Sequence, residues 1–257
     1  MSPVPKKKTR VGKETLEYLV VGSGSPTIVL VSSSGDPMEG WHRVLGPLGE
    51  SSTVFAYNRP GVGGSSKPAL PQTVEHMVET LRTLLREVGL PSPYVLVGHS
   101  LGGLIVNLFA RRFPADVAAV VMLEATAPED PAVMADNDPI IRRIARRTMG
   151  TIFGKEANAE TEHVVRTSIA VEQAGPFPAI PLIVVTGDKP AMSWMSWATA
   201  PEAAAARAEY QQKLAKLSPV GRQIIAARSG HCPHFTEPEV VVAAVREALS
   251  LAQANAT

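Results

Sequence analysis

The chain has 257 residues, of which 45% are hydrophobic and 19% are charged, a composition typical of a folded globular protein. Its net charge of +1 argues against a nucleic-acid partner, and its single cysteine, Cys232, cannot form a disulfide within the chain. No apolar run reaches the length of a membrane span, and the basic N-terminus has no hydrophobic stretch behind it that would make a secretory signal. We therefore expect a cytoplasmic protein without a membrane partner, with a flexible tail over residues 1–10.

Short apolar runs predict the strands of the fold. Several are apolar throughout rather than alternating, which is typical of strands that are covered on both faces. Segments of helical periodicity separate them, which predicts a single α/β domain over residues 1–257, with a mostly parallel sheet and helices on both faces. The predicted strands are Thr15–Val21, Thr27–Val31, Val54–Tyr57, Tyr94–Val97, Val117–Leu123, Leu182–Thr186 and Gln223–Ala227.

Two helices are clear from the sequence. Val74–Val88 carries apolar residues at helical spacing and is followed by Gly89, a typical helix stop. The last helix is predicted to begin with Thr236 as its cap, with Glu239 three residues later completing a capping box, and to run to about Leu251.

About sixty residues between two of the predicted strands contain no strand of their own. Asp138–Met149 and Glu160–Gln173 have helical character. An insertion at this point of an α/β fold is well placed to cover a pocket at the carboxyl ends of the strands. We expect a small helical cap over roughly residues 125–180.

The most informative motif is Gly-His-Ser-Leu-Gly at residues 98–102, between a predicted strand and a segment of helical periodicity. The pattern G-x-S-x-G at a strand-to-helix turn exposes a serine hydroxyl above its own backbone, and the glycines allow neighbouring segments to pack closely. Ser100 is therefore the predicted nucleophile. A serine needs a base, with an acid to orient that base, and in this arrangement the chain order is serine, acid, histidine.

The chain has six histidines that could act as the base for Ser100. His231 and His234 follow the last predicted strand, so their loop faces the same edge of the sheet as Ser100. We expect His231, the nearer to the strand, to be the base, and His234 to be a supporting or surface residue. The other four precede Ser100, adjoin it in the turn or fall in the predicted cap: His42, His76, His99 and His163.

These motifs together resemble the α/β-hydrolase family over nearly the whole chain. The resemblance is carried by residues 98–102, by Ala-Tyr-Asn-Arg-Pro-Gly-Val-Gly-Gly-Ser at 56–65, and by Ser-Gly-His at 229–231 followed by Pro238. Asn58 stands where the family usually has an aspartate, in a block that is mainly structural. The resemblance implies hydrolysis through a covalent acyl-enzyme, with no metal and no organic cofactor.

The resemblance also suggests which groups complete the site. An oxyanion hole needs two N–H donors: one would be the backbone of Leu101, and the other that of Ser34, in a loop where Ser32-Ser33 replaces the family's histidine-glycine. The usual position of the acid corresponds to Asp188, here unusually close to its strand. The second position known in the family corresponds to Glu124, at the end of the preceding strand, and we favour Glu124 with Asp188 as the alternative.

The expected activity is cleavage of a small carboxylic ester or a related acyl bond by a carboxylesterase-like enzyme. Lactone, thioester, amide or carbon–carbon cleavage would use the same residues. Two alternatives remain open at the sequence level. One is a cofactor-free perhydrolase of the haloperoxidase type, in which peroxide replaces water, and the other is a ligand sensor without turnover.

Overall fold

The computed structural model describes residues 4–128, 160, 164–189 and 201–254. These residues form a sheet of eight strands in the order β1-β2-β4-β3-β5-β6-β7-β8. β2 pairs antiparallel with β1 and β4, whereas β3 to β8 are mutually parallel where they pair. The strands are β1 Lys7–Val11, β2 Glu14–Val21, β3 Thr27–Val31, β4 Val54–Tyr57, β5 Tyr94–His99, β6 Val117–Leu123, β7 Leu182–Gly187 and β8 Gly221–Ala226.

Helices cover both faces of this sheet, as predicted. The first and last helices pack together on one face, and the second, third and fourth pack together on the other. No helix among the described residues is long and apolar enough to cross a membrane. In chain order the helices are α1 His42–Gly49, α2 Val74–Glu87, α3 Leu101–Arg112, α4 Val164–Gln173, α5 Pro201–Ala215, α6 Pro233–Thr236 and α7 Pro238–Ala254.

The seven predicted strands are confirmed. β3, β4 and β6 have the predicted bounds, and the others differ by at most two residues at either end. Their agreement has a simple cause, because every residue of β3, β4 and β5 is buried and apolar runs of this length are what a sheet covered on both faces requires. The predicted helix at Val74 is also confirmed, with Thr73 accepting a hydrogen bond from the His76 N–H.

The predicted flexible tail is wrong for residues 7–10. Lys7–Val11 forms β1, which pairs with β2 over five residue pairs from Lys7 with Tyr18 to Val11 with Glu14. The sequence did not predict this strand because it contains lysines, and charged side chains are unusual inside a sheet. They are common on an edge strand, where they oppose unwanted pairing.

The predicted capping role of Thr236 is also wrong. Thr236 is the last residue of the short helix α6, and α7 begins at Pro238. The Glu237 carbonyl accepts a hydrogen bond from the Val241 N–H at 3.4 Å, and proline suits the first position of a helix because it has no N–H to satisfy. Glu237 and Pro238 therefore start the last helix.

The predicted cap over residues 125–180 falls mostly outside the described residues, as does the predicted helix Asp138–Met149. Its last part is described: α4 packs against α2 and α3, in the helical layer on one face of the sheet. Within the predicted helix Glu160–Gln173, Glu160 and residues 164–173 are helical. Residues 164–173 thus belong to the body of the fold rather than to a cap.

Candidate active site

The sheet register brings Ser100 and Glu124 side by side. His99 at the end of β5 pairs with Leu123 at the end of β6, so the next residue of each strand emerges at the same carboxyl edge. The Ser100 N–H donates to the Leu123 carbonyl at 3.1 Å, and the Ser100 carbonyl accepts from the Thr126 N–H at 3.0 Å. The turn after β5 is therefore bound to the segment that follows β6.

Ser100 has the backbone conformation of a strained turn, with φ 52° and ψ −117°, in a region that residues other than glycine rarely adopt. The flanking glycines permit it. A Cβ on Gly98 would lie 2.4 Å from the Gly102 carbonyl oxygen, and a Cβ on Gly102 would lie 2.2 Å from the Val31 carbonyl oxygen. Both positions of the motif therefore require glycine, because a side chain would collide with the backbone of the turn or of the end of β3.

The Glu124 carboxylate is buried, with its side chain 1% exposed, and both of its oxygens have polar partners. Its Oε1 accepts a hydrogen bond from the Gly187 N–H at 2.6 Å. Its Oε2 accepts from Nε of Arg207 at 2.8 Å and lies 3.6 Å from Nδ1 of His231. The distance to His231 is longer than a hydrogen bond.

Asp188, the alternative acid, lies at the surface. Its side chain is 61% exposed, and its Oδ2 is 3.9 Å from Nζ of Lys189. Among the described residues, the carboxylate that the structure places in ion-pair range of the His231 ring is that of Glu124.

His99, inside the motif, supports the segment that carries His231. Its Nε2 lies 2.7 Å from the His231 carbonyl oxygen, and because a carbonyl only accepts, this nitrogen carries the proton. Burial first, and the neighbouring His234 and His231 next, hold the pKa of His99 well below its usual value, so the ring is neutral. The sequence excluded His99 as the base but gave no sign of this supporting role.

His234 is buried rather than at the surface, with 3% of its area exposed. Its ring centroid lies 4.5 Å from that of His99 and 4.8 Å from that of Trp41. Burial, together with repulsion from His231 and His42, lowers the pKa of His234 to about 3. His234 therefore lies in a buried position that supports its neighbours, not at the surface.

The loop that follows β3, residues 32–37, is held by a buried ion pair. Arg59 donates from Nη1 to the Ser32 carbonyl at 2.8 Å and from Nη2 to the Ser33 carbonyl. Its partner Glu160 accepts from the Gly35 N–H at 2.7 Å and from the Ser34 hydroxyl at 3.2 Å. Glu160 was missed at the sequence level, where it was only the first residue of a predicted helix.

The asparagine in the Tyr-Asn-Arg-Pro-Gly segment has a specific partner. Nδ2 of Asn58 donates to Glu17 at 2.7 Å, while its Oδ1 accepts from the Met38 N–H at 2.7 Å. Burial alone would raise the pKa of Glu17, but hydrogen bonds from the Gly64 N–H and Asn58 keep it below its usual value. An aspartate at this position would have no proton to offer an ionised Glu17, which explains the departure from the family pattern.

A pocket of about 290 Å³ opens between the loop after β3 and the segment around His234. Its volume lies at the small end of the range for small-molecule sites. It is lined by Ser32, Ser33, Asp36, Pro37, Glu39, Gly40, Trp41, His99, His234 and Phe235.

Cys232, next to His231, is not suited to act as a nucleophile. Burial, with the nearby carboxylates of Asp36 and Glu124, raises the pKa of its thiol to about 11, whereas a reactive cysteine needs a stabilised thiolate. The described residues also contain no cluster of three or more His, Cys, Asp or Glu side chains that could hold a metal ion.

The sequence of the chain is similar to that of a known protein family. The sequence model of the alpha/beta hydrolase family matches residues 28–244. A stretch of 103 residues, 40% of the chain, is 30% identical to protein YqjL of Bacillus subtilis and spans 41% of that relative. The chain thus covers less than half the length of this curated relative.

Solved structures show the same fold at low sequence identity. Cfl2 of Burkholderia cenocepacia superposes with a TM-score of 0.72 at 17% identity, covering 94% of both chains. A thermophilic esterase of Thermogutta terrifontis superposes with a TM-score of 0.65 at 21% identity, covering 96% of this chain and 99% of the esterase.

Proposed function

Because the chain belongs to the alpha/beta hydrolase family, we propose that it is a serine hydrolase that cleaves a small carboxylic ester through an acyl-enzyme. The observation that carries this proposal is the backbone of Ser100, with φ 52° in the turn between β5 and α3. Strain at one serine is retained where it is useful, and in this fold it exposes the hydroxyl to substrate.

In the proposed first step, His231 removes the proton of the Ser100 hydroxyl while its oxygen attacks the ester carbonyl. The π electrons of the carbonyl move to the carbonyl oxygen, giving a tetrahedral oxyanion. When this intermediate collapses, the C–O bond to the alcohol breaks and His231 returns the proton to the departing alkoxide. In the second step water attacks the acyl-serine by the same route, and the carboxylic acid leaves.

Glu124 is the proposed acid of the site. Its buried carboxylate lies beside Nδ1 of His231, the ring nitrogen that does not face the nucleophile in this mechanism. A carboxylate there favours the tautomer with a proton on Nδ1 and stabilises the imidazolium that forms during attack. The 3.6 Å separation fits a site without substrate, where catalytic hydrogen bonds are often long.

The proposed oxyanion donors are the backbone N–H groups of Leu101 and Ser34. Leu101 is the first residue of α3, so its N–H is one of the amides that a helix N-terminus leaves without an intrahelical acceptor. Ser34 belongs to the loop that Arg59 and Glu160 hold from both sides. A donor in a loop fixed in this way would need little reorganisation when charge develops on the substrate.

Hydrolysis of p-nitrophenyl acetate, butyrate and octanoate by the wild type and by Ser100→Ala tests the proposal. We expect turnover that is lost in Ser100→Ala, and the relative rates with the three esters measure the acyl length that the site accepts. Circular dichroism of both proteins controls for folding. Equal turnover by the two folded proteins, or none by the wild type, would contradict the proposal.

A further inference from the structure

The side chain of Arg207, on α5, reaches the proposed acid of the site from outside the motifs. Its Nε donates to Oε2 of Glu124 at 2.8 Å, and its Nη2 donates to the same oxygen. The Arg207 side chain is 27% exposed, whereas the Glu124 side chain is 1% exposed. A partly exposed arginine thus holds a buried carboxylate.

The oxygen that Arg207 holds is the one that faces His231. Nδ1 of His231 lies 3.6 Å from Oε2 of Glu124, and the other oxygen, Oε1, is taken by the Gly187 N–H at 2.6 Å. His231 and Arg207 therefore share a single acceptor, and the shorter contacts belong to Arg207.

We propose that Arg207 is a positioning residue that, by holding Oε2 of Glu124, sets the pH range in which His231 works as a base. This inference rests on the proposed function, because it assigns Glu124 and His231 to the catalytic site. The hydrogen bonds of Arg207 go to Glu124 and to the Gly187 carbonyl, so it would act on His231 through the carboxylate.

Two electrostatic effects of the guanidinium act in the same direction. It takes up part of the negative charge that would otherwise stabilise a protonated His231, and its own positive charge repels the imidazolium. Both effects oppose the imidazolium that forms during catalysis, and removing the guanidinium would relieve both. The repulsion between two charges that lie beside the same carboxylate oxygen is strong in a partly buried site and only partly screened by salt.

Other titratable groups face His231 from neighbouring elements. They remain unchanged when Arg207 is replaced, so a comparison of Arg207 variants isolates its charge. These groups are Asp36 in the loop after β3, His99 at the end of β5, Glu124 after β6 and His234 on α6.

The kinetic test compares Arg207→Gln, which removes the charge, with Arg207→Lys, which keeps it. Arg222→Gln is the matched control, since it removes an exposed arginine charge on β8 that pairs with Glu247. In the pH profile of kcat/KM for p-nitrophenyl acetate, we expect the acidic limb of Arg207→Gln to move upward by about half to one pH unit. Arg207→Lys and Arg222→Gln should keep the limb near that of the wild type, with KM unchanged within about twofold in all three.

A second measurement is independent of turnover. In protein labelled with ¹⁵N-histidine, the Nδ1 proton of His231 should shift downfield in Arg207→Gln, because Oε2 becomes free to accept it. It should stay in place in Arg222→Gln. An unmoved Nδ1 resonance in folded Arg207→Gln would overturn the inference, whether or not the protein hydrolyses esters.

The two proposals fail in different ways. Turnover that Ser100→Ala retains would contradict the proposed function, and the Nδ1 resonance would still decide the role of Arg207. Ser100-dependent turnover with the same acidic limb in the wild type and Arg207→Gln would overturn the inference and leave the serine hydrolase intact. A purely structural role of Arg207 would change thermal stability without moving either readout.

Discussion

Arg59 and Glu160 form an ion pair inside the protein, with Nε and Oε1 2.5 Å apart and the two side chains 2% and 1% exposed. Each partner also binds the loop after β3: Arg59 through the Ser32 and Ser33 carbonyls, and Glu160 through the Gly35 N–H. The loop that carries a proposed oxyanion donor is therefore held by two residues that are far apart in the chain, since Glu160 is 101 positions from Arg59.

Replacing Glu160 by glutamine should destabilise the protein strongly. The substitution removes the carboxylate that is hydrogen-bonded to the buried guanidinium of Arg59, and breaking a buried ion pair in this way typically costs about 3–5 kcal/mol. Urea unfolding of Glu160→Gln and the wild type measures the loss.

The matched control for this experiment is Glu209→Gln, which breaks the exposed pair between Glu209 and Lys213 on α5. Exposed pairs four residues apart on a helix contribute about 0.3–0.5 kcal/mol. Similar losses in Glu160→Gln and Glu209→Gln would show that the buried pair does not hold this part of the fold.

The assignment of the acid predicts unequal effects of two isosteric substitutions. Glu124→Gln removes the charge beside Nδ1 of His231, and we expect kcat to fall by roughly 10⁴, the size of the effect when the acid of a serine triad is neutralised. Asp188→Asn, at the surface, should keep kcat within about twofold. The reverse order, with Glu124→Gln near wild-type kcat and Asp188→Asn inactive, would assign the acid to Asp188.

Stability should fall in acid because two buried histidines stay neutral when folded. The unfolded chain binds a proton at His234 near its usual pKa of about 6.5, whereas burial lowers the pKa in the folded protein to about 3. The unfolded state therefore binds more protons below pH 6.5, so the free energy of unfolding decreases as the pH falls toward 3, by up to about 1.4 kcal/mol per pH unit.

Urea unfolding at pH 7, 6 and 5 tests the contribution of His234. We expect His234→Gln to lose less stability in acid than the wild type, because the unfolded variant has no His234 to protonate. The part of the loss that comes from His99 should remain. His42→Gln, at an exposed position, should keep a slope close to that of the wild type. Identical slopes in His234→Gln and the wild type would contradict the low folded-state pKa of His234.

The fold was largely predictable because its information is local. Buried parallel strands such as Val117–Leu123 are continuous apolar runs, and the glycine pattern around Ser100 marks a strand-to-helix turn. β1 escaped prediction because an edge strand can carry lysines, and local pattern does not show which segment will pair with the edge.

The candidate site was only partly predictable. Ser100 and Glu124 each follow an apolar strand directly, so their place at one sheet edge could be inferred from the sequence. Arg207 could not, because it lies 83 residues from Glu124 on a helix whose composition gives no sign of which charged side chain turns inward. Glu160 was hidden for the same reason, since burial of a glutamate depends on a distant partner, here Arg59.

A nucleophilic Ser100 is tested most directly by covalent labelling with a fluorophosphonate, followed by peptide mass mapping of the wild type, Ser100→Ala and His231→Gln. We expect a single phosphonyl adduct on Ser100 in the wild type, greatly slowed labelling in His231→Gln, and no adduct in Ser100→Ala. An adduct on another residue, or equal labelling in wild type and His231→Gln, would contradict a nucleophilic Ser100 activated by His231.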